Sequence, residues 1–367
     1  MVGGGQLGRM FAVAASAMGF RVIILCDDQD APAAQVAHET VVGDLLDFEA
    51  VERFASQCDV ITLEFENIPA ETIARCNEHA PTFPSSKVLA TAQNRLIEKS
   101  TLRDAGLPVT PFVEVSDQDS LVEAGNQLGW PMIVKTAISG YDGKGQSKVE
   151  SPADGAGIPW NTCKSWIAEK CIAFDLEVSV VVARSPDGEM AAFPVFENDH
   201  HNHILDVTVA PARINESLAN QAVAVAKNAT QALDVVGLLC VEFFVSGNQV
   251  MINEVAPRPH NSGHLTIEGC ETSQFEQHVR AICNLPFGST NLRSSAASMA
   301  NLLGDLWNED GSAPSWSEAL QDSGISLHLY GKKVAKKGRK MGHLTNTGSS
   351  IDDLVDRITA ARRRLSS

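Results

Sequence analysis

The sequence predicts a mixed fold: a doubly wound α/β unit over residues 1–93, then α+β segments built around one long hairpin. Three observations carry this. Short apolar runs alternate with helical patterns up to about residue 93, as strands separated by crossover helices do. The strand PMIVKTA runs straight into a glycine-rich loop, SGYDGKGQ. Two long apolar segments, GLLCVEFFV and QVMINEVAP, are separated only by SGN and read as a hairpin.

Taken in order, RVIILC (21–26) and DVITLEF (59–65) read as buried strands, and residues 6–18 as a helix after the turn GGGQLG. Such a turn ordinarily leaves a strand and enters a helix, yet only Met1 and Val2 precede it. The first N-terminal strand is therefore expected to be missing, either from the sheet itself or because the chain begins downstream of its natural start. QNRLIEKSTLRDAG reads as a helix closed by Gly106, with Pro108 just beyond. WIAEKCI and LEVSVVVA read as strands. Leu218, Ala222, Ala226, Ala229 and Leu233 recur at helical spacing before the hairpin. The last ~85 residues hold a helix (274–283), a basic segment LYGKKVAKKGRKMGH, and a terminal helix ending in Arg362, Arg363 and Arg364, which reads as a solvated helix end.

The chain has 367 residues, and 29 Lys+Arg against 45 Asp+Glu give a net charge of −16. That length suits two or three domains. The acidic balance argues against a general nucleic-acid binder but leaves room for anionic small substrates at local basic clusters. No apolar run is long enough to span a membrane, and MVGGGQLGRM has no secretory pattern. Eight cysteines without a CxxC spacing point to a reduced, cytoplasmic protein without disulfides or a zinc ribbon.

Several clusters can carry chemistry. Glu242 sits inside VEFF, where a lone buried carboxylate needs a partner or a cation. With a three-residue hairpin loop, 247–249, Glu254 falls opposite Glu242, and Asn253 adds an oxygen beside them. Two carboxylates with phosphate oxygens and water suit Mg²⁺; the same spacing also suits two charges at the solvent end of an ordinary hairpin. Glycines 140, 143 and 145 let backbone N–H groups approach phosphate, with Lys135 and Lys144 to neutralise it; a flexible hairpin tip is the plain alternative. GGGQLG could cradle a phosphate at a helix start or simply turn. RPHNSGH packs Arg258, His260, Asn261 and His264 into seven residues and suggests a site or a structured loop. HHNH (200–203) invites a metal assignment but reads better as a solvated turn. Six cations between Lys332 and Lys340 suit either a solvated strand pair or a phosphate-bearing substrate.

In order, GGGQLGRM, EFENIP, IVKTAISGYDGKGQ, EKCI, LEVSVV, VEFF–INEVAPRPHNSGH and YGKKVAKKGRKMGH resemble the 5-(carboxyamino)imidazole ribonucleotide synthase family of purine biosynthesis, within the ATP-grasp superfamily. The resemblance spans residues 3 to about 345. It implies an ATP-grasp fold with an N-terminal preATP-grasp (Rossmann-like) α/β domain over 1–93, an ATP-grasp domain over 94–273 with a small lobe at 107–173, and a small C-terminal domain over 274–367. It implies a homodimer, ATP and Mg²⁺, and 5-aminoimidazole ribonucleotide and bicarbonate as substrates. ATP would phosphorylate bicarbonate to carboxyphosphate, and the exocyclic amine would capture the carbon dioxide released. The carbamate would then pass to the mutase that moves the carboxylate to the ring.

The resemblance also implies roles. ATP would meet Arg95 and Lys135, the loop Ser139, Gly140, Tyr141, Asp142, Gly143, Lys144 and Gly145, the segment Glu169, Lys170, Cys171 and Ile172 at the adenine, Glu177 at the ribose, and Glu197, Asn253 and Glu254. Position 197 is glutamate where some relatives carry a histidine near ATP. Glu242 and Glu254 would hold magnesium. The substrate nucleotide would lie against Gln6, Leu7, Glu64, Asn67, Asn261 and Ser262, with its phosphate at Lys332, Arg339 and Lys340. Asp142, Lys135, Arg258 and Lys332 would be catalytic, Asp142 as proton acceptor or orienter. Rival readings are another ATP-grasp enzyme such as the formate-dependent glycinamide ribonucleotide transformylase, a non-catalytic ATP-binding protein, and a dinucleotide-dependent dehydrogenase resting on GGGQLG alone.

Overall fold

A computed structural model describes residues 1–138, 145–308 and 310–366. In the N-terminal unit, Ile23–Cys26 pairs in parallel with Glu39–Val42, and Ile61–Thr62 with Thr82–Phe83. The expected gap between these pairs is filled. Val2 bridges both Leu25 and Leu63; its N–H donates to Thr62 O at 2.8 Å, and Gly3 N–H to Leu25 O at 2.9 Å. The first strand is thus present as a stub of residues 1–3 at the sheet's centre, which corrects the expectation of a missing strand. Its neighbours contribute only two to four residues each, so a short stub suffices to join them. No period-2 pattern can register over so few residues.

The helix Gln6–Ala17 follows, and its face Phe11, Ala12 and Ala15 packs with Phe275, Val279 and Ile282 of the helix Gln274–Ile282. A four-stranded sheet orders Phe112–Val115, Trp166–Lys170, Met132–Thr136 and Gln146–Val149. The large sheet runs Gln249–Ala256, Gly237–Ser246, Leu176–Arg184, Phe196–His201, Ile204–Ala210, Ala296–Leu303, Lys340–Gly348, Ile325–Leu329. The C-terminal strands therefore continue the central sheet across the pairing of Ile204–Ala210 with Ala296–Leu303. Beneath it lies the helix Glu216–Ala232, capped by the Asn215 side chain. Its stripe Ala222, Ala226 and Ala229 is fully buried, small enough to bring the helix close to the sheet.

The C-terminal arginines depart from a solvated helix end. Arg362 forks onto Asp206 at 2.6 and 2.8 Å, and Arg364 donates to Glu318 O at 2.9 Å; both fasten the terminal helix to the fold. The basic run between Ile325–Leu329 and Lys340–Gly348 is a connection with no strand of its own before Lys340. Among the described residues no helix is long and apolar enough to cross a membrane, and all eight cysteines are free.

Candidate active site

The hairpin turns on two residues, not three: Ser246 pairs with Gln249, and Gly247 takes φ +57° at the first loop position, where a two-residue loop of this kind needs glycine. Glu242 nevertheless faces Glu254. Phe243 pairs with Ile252 and Glu242 with Glu254, so Asn253 is an extra residue, a β-bulge that shifts the register by one. Both carboxylates look into a cleft of about 1510 Å³. Burial alone would raise the Glu242 carboxyl, but His260, with Nε2 2.9 Å from Oε1, holds it low. Glu254 goes the other way, raised by its enclosure and then by Glu242 beside it. Asn253 Oδ1 is buried without a partner among the described residues. Two opposed carboxylates and an unsatisfied amide oxygen fit a hard divalent cation, which takes oxygen ligands.

Opposite stands the helix Arg95–Asp104, capped by Asn94 Oδ1 on Leu96 N–H at 3.0 Å. Spacing of three and four puts Arg95, Glu98 and Lys99 on one face, and all three line the cleft. Glu169, whose backbone is expected near the adenine, turns its carboxylate to Lys99 and Lys135, each at 2.8 Å. Lys170, Cys171 and Ile172 line the cleft beside it. One buried carboxylate thus gathers two ammonium groups on one wall. Glu98, not singled out from sequence, is raised to about 8 by burial and by Glu254.

In RPHNSGH, Arg258 forks onto Glu66 of EFENIP, with Nη2–Oε1 at 3.0 Å. Burial alone would raise Glu66, but the guanidinium outweighs it and brings the carboxyl to about 2. The expected substrate contact at Ser262 is corrected here. Ser262 is fully buried and bonds His260 Nδ1 at 2.8 Å and Ser179 Oγ at 2.9 Å. Asn261 lines the cleft, yet its amide is engaged with that of Asn301 at 3.1 and 2.8 Å.

On the nucleotide side, Glu177 pairs with His200, a residue that sequence reasoning left in a solvated turn. That reading holds for Asn202 and His203, whose φ of +50° and +64° form the turn itself. Glu197 lines the cleft, but its carboxylate is taken by Arg213, through Nε at 3.1 Å and the backbone N–H at 2.9 Å; the expected ATP contact does not fit. The loop residues Ser139, Gly140, Tyr141, Asp142, Gly143 and Lys144 lie outside the described residues. Arg95 Nη1 donates to Thr136 O at 3.0 Å.

In the GGGQLG turn the helix start is already engaged by the protein itself. Glu64 accepts from the N–H of Gly5 and of Leu7, the latter at 3.1 Å, so a protein carboxylate takes the anion position at the helix start. Gln6, Leu7, Glu64 and Asn67 still line the cleft, as does Lys340. Lys332 donates to Lys340 O at 2.6 Å, while Arg339 turns to its own loop at Val334 O, 2.8 Å. Lys333 leaves the cationic set: it pairs with Asp28 at 3.2 Å and Asp30 at 3.3 Å. Gln35 Nε2 fastens the same loop through Gly331 O at 2.9 Å.

Two carboxyls in this site carry a pH dependence. Glu66 and Glu169 both lie near 2 in the fold against an ordinary 4.5, because neighbouring cations outweigh burial. A depressed folded value stabilises above the unfolded value and is lost as pH falls through the folded one. The expected result is a Tm that falls between about pH 4.5 and 2, more steeply in the parent than in a variant without the Glu169 carboxylate, with Glu169 accounting for roughly 3 kcal/mol. Thermal melts across that range in the parent and in Glu169→Gln measure it.

Comparison with known proteins matches three successive parts of the chain to family models. The ribonucleotide synthetase preATP-grasp domain matches residues 1–93, the ATP-grasp domain 100–275, and the phosphoribosylaminoimidazole carboxylase C-terminal domain 297–357. The chain is 41% identical to the N5-carboxyaminoimidazole ribonucleotide synthase of Bacillus subtilis over 98% of its own length and 93% of that protein. The ADP complex of N5-carboxyaminoimidazole synthetase from Staphylococcus aureus superposes with a TM-score of 0.90 at 37% identity, covering 98% of this chain and 95% of that one. The Aspergillus clavatus synthase with ADP and 5-aminoimidazole ribonucleotide gives 0.89 at 32%, covering 99% and 97%.

Proposed function

The chain belongs to the N5-carboxyaminoimidazole ribonucleotide synthase family of ATP-grasp ligases, and on that premise we propose how its own residues divide the work. The reaction is ATP- and bicarbonate-dependent carboxylation of the exocyclic amine of 5-aminoimidazole ribonucleotide, in purine biosynthesis. The observation that carries the reading is the convergence on one cleft of the Glu242–Glu254 pair, the Lys99–Glu169–Lys135 cluster and the Arg258–His260 wall.

Lys135 and Arg95 face the phosphates of ATP, and Glu169 fixes Lys135 in place. Glu177, with His200 against it, takes the ribose hydroxyls. Glu242, Glu254 and Asn253 would hold Mg²⁺, which supplies charge neutralisation at the transferring phosphoryl group. Arg258 and His260 receive bicarbonate beside them. A bicarbonate oxygen attacks the γ-phosphorus as ADP leaves; carboxyphosphate then splits its C–O bond to carbon dioxide and phosphate. The amine attacks the carbon dioxide and loses a proton, giving the carbamate. Several anions meet in these steps, so fixed cations aimed at developing charge are the main catalytic device. The substrate nucleotide lies toward Gln6, Leu7, Glu64 and Asn67, with its phosphate toward Lys340 and Lys332. Eight free cysteines suit a reducing, cytoplasmic setting. A homodimer and hand-over of the carbamate to the mutase complete the reading.

ADP release with Mg·ATP and bicarbonate, with and without 5-aminoimidazole ribonucleotide, tests it. Release should depend on the aminoimidazole; release that instead requires glycinamide ribonucleotide and formate moves the chain to the sister activity. The Lys333 latch adds a second expectation. Lys333→Met should leave Tm nearly unchanged, since an exposed ion pair is worth about 0–1 kcal/mol. It should raise KM for the nucleotide about two- to five-fold, because looser docking of the loop raises the ordering cost of binding. KM for ATP should stay constant; steady-state kinetics separate the two.

A further inference from the structure

We infer that Gln274 and Ser262 are positioning residues that lock His260, the one by its backbone and the other by its ring. Gln274, at the first turn of the helix Gln274–Ile282, sits one layer behind the cleft lining and is fully buried. Its amide copies a strand's pairing edge. Oε1 accepts from His260 N–H at 2.9 Å, and Nε2 donates to His260 O at 2.7 Å. The second Nε2 hydrogen goes to His264 Nδ1 at 3.0 Å, so every hydrogen-bonding group of the amide is used. Gln274 is itself seated, its N–H donating to Thr266 Oγ1 at 2.8 Å. A Cβ on Gly263 would overlap the Gln274 amide, so the glycine in RPHNSGH makes room for this side chain.

The ring is held independently. Asn198 Nδ2 donates to Ser179 Oγ at 2.9 Å, and Ser179 passes its own hydrogen to Ser262 Oγ at 2.9 Å. Ser262 Oγ lies 2.8 Å from His260 Nδ1, and its backbone N–H points to the same nitrogen at 3.3 Å. With Nδ1 occupied from behind, Nε2 is aimed at Glu242 and the space beside it. A group fixed on four hydrogen bonds keeps its geometry while charge moves around it, and a misplacement near 1 Å costs about a hundredfold.

The inference rests on His260 belonging to the reacting site, and three variants separate the two claims. Gln274→Glu keeps the shape but sets a carboxylate oxygen against the His260 carbonyl; Ser262→Ala removes one hydroxyl; His260→Asn tests the site itself. Each is assayed for ADP-binding stoichiometry, Tm, kcat and the KM for ATP and for bicarbonate. Positioning predicts a kcat per ADP-binding site lower by about 10- to 100-fold in Gln274→Glu and Ser262→Ala, with KM for ATP within two-fold of the parent. A lowered Tm with kcat per ADP-binding site unchanged in both overturns the inference. If Gln274→Glu gives no ADP-binding protein, Ser262→Ala decides alone by the same criterion. Full activity in His260→Asn overturns the underlying reading, whereas loss there with the other two unaffected overturns only the positioning role.

Discussion

Glu254→Ala should lower kcat for ADP release by about 10³-fold, the scale of removing one well-placed electrostatic stabiliser, and leave the fold intact. The carboxylate faces Glu242 across the bulge at Asn253, and each raises the cost of charging the other. Its removal takes away one of two carboxylates for the cation while relieving that repulsion. Without magnesium the variant should therefore melt at or above the parent's Tm, the trade of stability for function expected at a charged site. Magnesium with ADP should stabilise the parent by ligand linkage and the variant much less. Steady-state kinetics and melts with and without Mg²⁺ check both halves; a variant with parental kcat removes Glu254 from the metal site.

Glu169→Ala should have the largest effect on stability. Glu169 and Lys99 are 2% and 1% exposed, and Lys135 shares the same carboxylate. Removing the anion leaves two enclosed ammonium groups without compensation, which costs about 3–5 kcal/mol in the unfolding of this lobe. Pairing it with Lys99→Met should recover part of the loss, because only one cation then remains to be solvated. Urea midpoints of the parent, the single and the double variant measure this. An unchanged midpoint in the single variant would falsify the claim that Glu169 compensates both lysines.

The layout of the fold was legible where periodicity or a marked motif spoke, and the limits have identifiable causes. The helix Glu216–Ala232 followed from its alanine stripe, and the pairing of Glu242 with Glu254 was expected correctly from an incorrect loop length. The real loop is one residue shorter, and the Asn253 bulge restores that residue; no sequence pattern marks a bulge at an asparagine. The central stub of residues 1–3 lies below the length at which alternation can be counted. Lys99 was within reach, four residues after Arg95 on the same helix face. Glu66 lies inside EFENIP between Glu64 and Asn67, and its partner Arg258 is 192 positions away, beyond the reach of any local pattern. Likewise, the pairing of Glu197 with Arg213 and of Ser262 with Ser179 joins residues 16 and 83 positions apart, which only the folded sheet brings together. The carboxylate of Glu64 on the GGGQLG turn is of the same kind, and it explains why a turn resembling a phosphate cradle serves instead as a fixed wall of the cleft.

The most direct test of the central claim follows oxygen. With ¹⁸O-labelled bicarbonate, ATP and 5-aminoimidazole ribonucleotide, phosphorylation of bicarbonate followed by C–O cleavage delivers one labelled oxygen to each inorganic phosphate formed. Mass spectrometry of the phosphate should therefore show label in step with carbamate produced. Phosphate without label, while ADP still accumulates, would mean that water and not bicarbonate attacks ATP, and would contradict the account.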